Sequence, residues 1–160
     1  KIEGRGRAAD YVATVIKTYR EAIDSYYEGT FTKEKINTWM EALATVYNRG
    51  FWSGYYLGQK LGEWSDNPGS NATQKKVYVG KGMHYFPKSS IAEFKIEAYD
   101  IKKGDKILIT GPSTGAQELI LEDFFVNDAT SEKATKGDSC TLKVPFRIRL
   151  SDKMYKIVEN

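Results

Sequence analysis

The sequence predicts an α+β chain: a helical hairpin with a loop over residues 1–75, then a small β-barrel of about six strands over residues 76–160. Three observations predict it. Apolar residues recur at helical three-and-four spacing as far as Tyr47. A stretch rich in Gly, aromatics and Pro follows, and after Lys75 the apolar residues alternate with a period of two.

The first helix starts near Tyr11, where Val12, Val15, Ile16, Tyr19, Ala22, Ile23 and Tyr26 share one face and Lys17, Arg20, Glu21 and Asp24 the other. Gly29 is placed to end it in a left-handed cap. A second helix starts at once. Thr32 is its cap, Phe31 can fold onto Ile36 as a hydrophobic staple, and Ile36, Trp39, Met40, Leu43 and Tyr47 form its stripe. So short a connection makes the two helices antiparallel neighbours. The segment after Gly50 carries Phe51, Trp52, Tyr55, Tyr56 and Trp64. These aromatics read first as a loop packed on the helices, and alternatively as a recognition surface. Residues 66–70, DNPGS, read as a linker.

In the second half Ala92, Phe94, Ile96 and Ala98 alternate with Glu93, Lys95, Glu97 and Tyr99, a half-buried strand. Ile107 and Ile109 alternate with Lys106, Leu108 and Thr110, which puts Leu108 on the outward face of another strand, ended by Gly111-Pro112. Residues 118–126, 140–150 and 154–158 continue the series. Lys103-Gly104-Asp105 is echoed by Lys136-Gly137-Asp138, each suited to a tight turn in which Gly takes positive φ and Asp bonds to backbone amides.

The charge balance excludes a strongly basic nucleic-acid binder. Residues 1–75 hold 10 basic and 9 acidic side chains and residues 76–160 hold 14 and 12, which sums to the net charge of +3. One cysteine, Cys140, excludes an internal disulfide and suits a reducing cytoplasm. With the single His84 it cannot form a thiolate–imidazole zinc site. No apolar run reaches the ~20 residues of a membrane span. Gly-containing KGMHYF and GPSTGAQ lack the Lys-Ser ending of a phosphate loop. Cys140 reads as a partly buried structural thiol and His84 as a surface or turn residue. Lys81, Lys88, Tyr78, Tyr85 and Phe86 could make a small basic–aromatic patch for single-stranded RNA. The residues alone therefore contain no self-contained active site.

The opening motif adds to this. KIEGR at residues 1–5, Tyr11-Val12-Ala13, Tyr19-Arg20 and Ala22-Ile23-Asp24 resemble the signature region of the collagenase-like peptidases, peptidase family U32. Asn48-Arg49-Gly50-Phe51, Gly54-Tyr55, Val79-Gly80, Gly104-Asp105 and Gly111-Pro112 resemble later blocks of the family. The resemblance implies that the chain is the C-terminal part of a longer protein and that a TIM-barrel-like domain precedes it. Separately, the placement of the two Gly-Asp turns is similar to that in accessory barrels of translation factors. Glu3 and Arg5 would then lie at the rim of the absent barrel as catalytic candidates. Arg49, Tyr55, Lys81, Tyr85 and Lys88 are candidates for binding substrate or partner. Some members are iron–sulfur proteins whose cysteines precede KIEGR, so a cluster is expected upstream and none in this piece. Other members resemble factors for hydroxylating tRNA or ribosomal RNA. The implied partners are the protein's own N-terminal barrel, a protein or peptide substrate, or structured RNA, with no membrane. An apolar patch left bare on the hairpin can also bring two copies together.

Overall fold

The computed structural model describes residues 2–52, 54, 58 and 69–160. Helix α1 spans Ala9–Tyr27 and α2 spans Lys33–Ala44. The end of α1 is a Schellman motif: Gly29 sits at φ +68°, its amide donates to the Tyr26 carbonyl at 3.1 Å, and the Thr30 amide reaches Ser25 O at 2.8 Å. Thr32 caps α2 as its spacing suggests, Oγ1 accepting from the Lys35 amide at 3.3 Å. Phe31 leans on Trp39, with ring centroids 5.4 Å apart. Lys35 meets Ser25, Trp39 Nε1 donates to Glu21 Oε2 at 3.3 Å, and Arg7 covers Tyr47. Those partners run in opposite chain directions, so the two helices are antiparallel.

The strands are β1 (Gln74–Phe86), β2 (Ile91–Ile96), β3 (Ile101–Lys102), β4 (Lys106–Gly111), β5 (Gly115–Ile120), β6 (Phe124–Val126), β7 (Ala129–Ser131), β8 (Lys133–Ala134), β9 (Ser139–Lys143) and β10 (Lys153–Glu159). Eight form one antiparallel sheet in the order β5-β4-β10-β1-β2-β9-β6-β7, and β3 pairs with β8. α+β is therefore the class, but the expected six-stranded barrel is not what forms. The sheet has β5 and β7 as unpaired outer strands among the described residues, so it is open.

The misreading has physical causes. Residues 118–126 are two strands, because the Leu121 amide turns to the Asp105 carbonyl (2.8 Å) and sends β6 to the far wing of the sheet. Residues 140–150 leave the sheet after Lys143, where Val144 N bonds to Ser90 O at 2.9 Å and Pro145 has no amide to give. The open sheet curls around one core. Val79, Phe94, Ile96, Ile107, Phe124 and Met154 meet in it, and Ile101 and Ala134 close part of it from the β3–β8 ribbon.

The curl is set in β1. Its first part pairs with β10 and its second with β2, with irregularities between Tyr78 and Gly80 and between Gly82 and His84. A Cβ on Gly80 would collide with the Lys95 carbonyl, and one on Gly82 would lie 2.8 Å from Ile148 Cδ1. Both paired Gly-Asp turns behave as their sequence suggests: Gly104 and Gly137 have φ of +88° and +100°, and Asp105 and Asp138 accept from the amides of Lys102 (2.8 Å) and Thr135 (2.7 Å).

The hairpin lies against the outer face of β4 and β5. Leu108, predicted to point outward, is buried there beside Thr14, Thr18 and Trp39. Asp10 pairs with Lys76 of β1, and the Thr73 amide donates to Ala44 O at 2.9 Å. α1 thus spends Val15 and Thr18 on packing, while Ile16, Tyr19, Ile23 and Tyr26 are exposed, Tyr19 at 58%. The predicted apolar face is split down its length.

Two substitutions test this account. Phe94→Ala should cost about 3–5 kcal/mol in denaturant unfolding, as a fully buried aromatic leaves a cavity. Gly80→Ala should destabilise more than Gly104→Ala does, because the former strikes a backbone carbonyl while the latter meets open space and carries only the left-handed strain.

Candidate functional site

Where α1 begins and α2 ends, the chain forms an open-sided cavity of about 740 Å³. The entering turn is built by Glu3, whose Oε1 accepts from the amides of Arg5 (2.6 Å) and Gly6 (3.2 Å). Those two bonds, and then the nearby Arg7 charge, hold its carboxyl below the ordinary value. Arg7 stacks on Tyr47, its Cζ 3.5 Å from the ring centroid, and Arg49 Nε donates to the Tyr47 hydroxyl at 2.9 Å. The Arg49 bond is also the first reason the Tyr47 phenol is lowered, with both arginine charges adding to it. Asn48 fixes this corner: its Nδ2 donates to Val46 O at 3.0 Å and its Oδ1 accepts from Gly50 N at 3.0 Å. Tyr11, Met40, Phe51 and Trp52 supply apolar lining.

Of the sequence candidates, Glu3 and Arg49 line this one cavity, and Arg5 sits in the turn beside it. Tyr55, with Tyr56 and Trp64, lies outside the described residues. Lys81, Tyr85 and Lys88 are elsewhere, on β1 and the turn after it. Lys81 Nζ is 2.8 Å from Glu97 Oε1, and Tyr78 Oη donates to Glu97 Oε2 at 2.5 Å. Tyr85 turns to the core, while exposed His84 stacks on Phe86 with centroids 4.4 Å apart. The suggested basic–aromatic patch is thus divided between the two faces of β1, with one lysine neutralised.

Arg7 and Tyr47 were not singled out by sequence reasoning. Spacing would have given Arg7 to Asp10, one turn on. Asp10 is taken by Lys76 instead, which leaves the arginine to the ring. Asp152 is a second such residue: buried, it accepts from Thr114 Oγ1 at 2.5 Å and the Arg149 amide at 2.8 Å, and it fills the space a side chain on Gly111 would need.

Among the described residues no three of His, Cys, Asp and Glu gather as a metal site. Cys140 is fully buried rather than partly so, and burial pushes its thiol up to about 12. The residues present do not fit an iron–sulfur cluster. No helix among the described residues is long and apolar enough to cross a membrane.

Comparison with known proteins bears on what this arrangement serves. Residues 1–66 match the family model of peptidase family U32, and through this segment the chain is related to the U32 peptidases. It is 51% identical over 156 residues to a collagenase of Porphyromonas gingivalis, covering 98% of this chain and 38% of that protein. It is 29% identical over 138 residues to tRNA hydroxylation protein P1 of Bacillus subtilis, covering 85% of this chain and 32% of that protein. A solved C-terminal domain of a Geobacillus thermoleovorans protein described as a U32 peptidase is similar at TM-score 0.47 and 19% identity, over 49% of this chain and 96% of that one. The chain therefore spans well under half the length of these curated relatives.

Burial of Cys140 has a measurable consequence. Its folded pKa lies above that of a free thiol, so the stability it contributes is intact below about pH 9 and is lost as pH rises toward 12. Tyr78, raised from 10 to about 12 by burial and then by Glu97, acts in the same direction above pH 10. Thermal melts should show a falling Tm above pH 9. At pH 8 iodoacetamide should label Cys140 at a rate set by unfolding, and fast labelling of the native chain would contradict the buried placement.

Proposed function

We propose that the chain acts as the C-terminal accessory region of a longer U32-family protein. The division at residue 75 is functional in this reading. The helical hairpin docks onto the remainder of the protein, and the β-sheet region presents a surface to a protein or peptide substrate. The observation that carries this is the apolar stripe of α1, exposed among the described residues, which lies within the residues matching the family model. Ile16, Tyr19 and Ile23 on that stripe have the chemistry of an interior face. Glu3 and Arg5 stand at the junction as candidates to complete a site with groups from the remainder. Arg49, Lys81, Tyr85 and Lys88 are candidates for contacts with substrate. The isolated chain is catalytically silent, and a cytoplasmic setting agrees with its single unpaired cysteine.

A second reading, in which the chain docks structured RNA, is favoured by the similarity to tRNA hydroxylation protein P1. The pairing of Lys81 with Glu97 weighs against it.

The docking reading is tested with Ile16→Asp/Ile23→Asp. In this chain the pair should shift unfolding free energy by little, about 0.5 kcal/mol per site, as exposed positions do. In the full-length protein it should cost several times more, because each side chain buried there is worth roughly 1.5–3 kcal/mol. Equal effects in both would sink the idea. For the RNA reading, gel mobility with tRNA at fixed salt should show no tighter binding than to a charge-matched control protein.

A further inference from the structure

We propose that Arg7 and Arg49 bind the free α-carboxylate of a peptide, whose last side chain enters the adjoining cavity. The proposal does not depend on the accessory reading, which stands or falls on the full-length stability comparison above.

Charge pairing is the first ground. Lys76, Lys81, Lys103, Lys106, Lys133, Lys156 and Arg20 each have a carboxylate partner. Arg7 and Arg49 have none among the described residues; other cations such as Lys88, Lys143, Arg147 and Arg149 share that lack, and what sets these two apart is that they converge on a single phenol. Arg7 lies over the Tyr47 ring with its Cζ 3.5 Å from the centroid, and its guanidinium carries five N–H donors in a fixed fork. Among the described residues Arg49 commits only Nε, to the Tyr47 hydroxyl, so the donors on its two terminal nitrogens remain. Two forked donors held by one ring suit a planar oxyanion, which guanidinium binds through paired hydrogen bonds.

Preorganisation is the second ground. Asn48 bonds to the backbone at Ala44, Val46 and Gly50, which fixes the turn carrying Arg49. Tyr47 then couples that turn to the segment entering α1. Little ordering cost remains for a ligand to meet.

The third ground is the cavity itself. At about 740 Å³ it is large enough for a bulky side chain, and Tyr11, Val15, Met40, Leu43, Val46 and Trp52 make most of its wall apolar. Glu3 is the one acid lining it among the described residues, and its carboxylate is already engaged by the amides of Arg5 and Gly6. Two arginines against one carboxylate leave a single excess positive charge on the wall. That suits one carboxylate beside an apolar group and is too little to track a polynucleotide backbone.

The experiment titrates the 160-residue chain with N-acetyl-Ala-Ala-Phe as free acid and as amide, and with adenosine monophosphate and inorganic phosphate. Binding is read by calorimetry and by tryptophan fluorescence. The free acid should bind at least about tenfold more tightly than the amide, the expected worth of a charge-assisted pair. Arg49→Gln and Arg7→Gln should each abolish that preference, and Arg49→Lys should restore only part of it. If Arg7→Gln loosens the hairpin, Arg49→Gln decides, since exposed Arg49 leaves the melting temperature unchanged. Equal affinity for acid and amide overturns the proposal, as does no saturable binding of the acid. Binding of adenosine monophosphate or phosphate as tight as that of the acid overturns it too, in favour of a phosphate site.

Discussion

The close approach of backbone at Gly80 and Gly82 is the constraint on which the rest of the sheet depends. At those residues β1 gives up β10 as its partner and takes β2. Any side chain on Gly80 would occupy the position of the Lys95 carbonyl. A single 13-residue strand thereby belongs to two wings, β10-β4-β5 on one side and β2-β9-β6-β7 on the other. Each wing twists away from the bend, so their inner faces converge on one core without the outer edges ever pairing. Gly82 matters for a second contact: its carbonyl receives the Ser151 amide at 2.9 Å and its amide reaches Asp152 O at 2.7 Å. The bend therefore also anchors the irregular segment between β9 and β10.

The hairpin depends on the same frame. β4 is covered on its inner face by the core and on its outer face by α1, which is why Ile107, Leu108 and Ile109 are all buried in sequence. A sheet of this kind usually leaves its second face to water. Here α1 occupies it, held by the Asp10–Lys76 pair and by backbone bonds from residues 71 and 73 to the end of α2. With Thr18 turned toward the strands and Val15 toward the end of α2, α1 leaves Ile16, Tyr19 and Ile23 exposed. A helix stripe wider than the surface available to it must either face water or face something else.

Much of this was legible in the sequence, wherever local physics decides. Thr32 as a cap, Gly29 as a terminator, the two Gly-Asp turns and the alternation of Ala92, Phe94 and Ile96 all require only neighbouring residues. The failures share a different cause. Whether residues 118–126 form one strand or two depends on the Asp105 carbonyl, more than ten residues away in sequence. Leu108 was assigned outward because an alternating pattern does not reveal a helix lying on the other face. Closure into a barrel was inferred from strand number, but closure depends on whether two edges meet, and no local pattern encodes that. The same holds for the site. Arg49 could be flagged by motif, whereas Arg7 acquires its role only because Lys76, distant in sequence, removes Asp10 from its reach.

Competition for carboxylates also decides which cations stay open to an anion. In the sheet region Lys88, Lys143, Arg147 and Arg149 have no carboxylate partner among the described residues, while Lys81, Lys103, Lys106, Lys133 and Lys156 each lie within 3 Å of an Asp or Glu oxygen. Such pairs add little stability at an exposed surface, but they cancel the field a ligand would feel. The end of the hairpin is built differently. Glu3, the one acid lining the cavity among the described residues, is folded back on its own turn, and the two arginines meet an uncharged phenol that orients them without neutralising them. Orientation without neutralisation is what a recognition site for a negative group requires. In this chain the sheet supplies the scaffold, and the mouth of the helices sets two arginines on one phenol beside an apolar cavity.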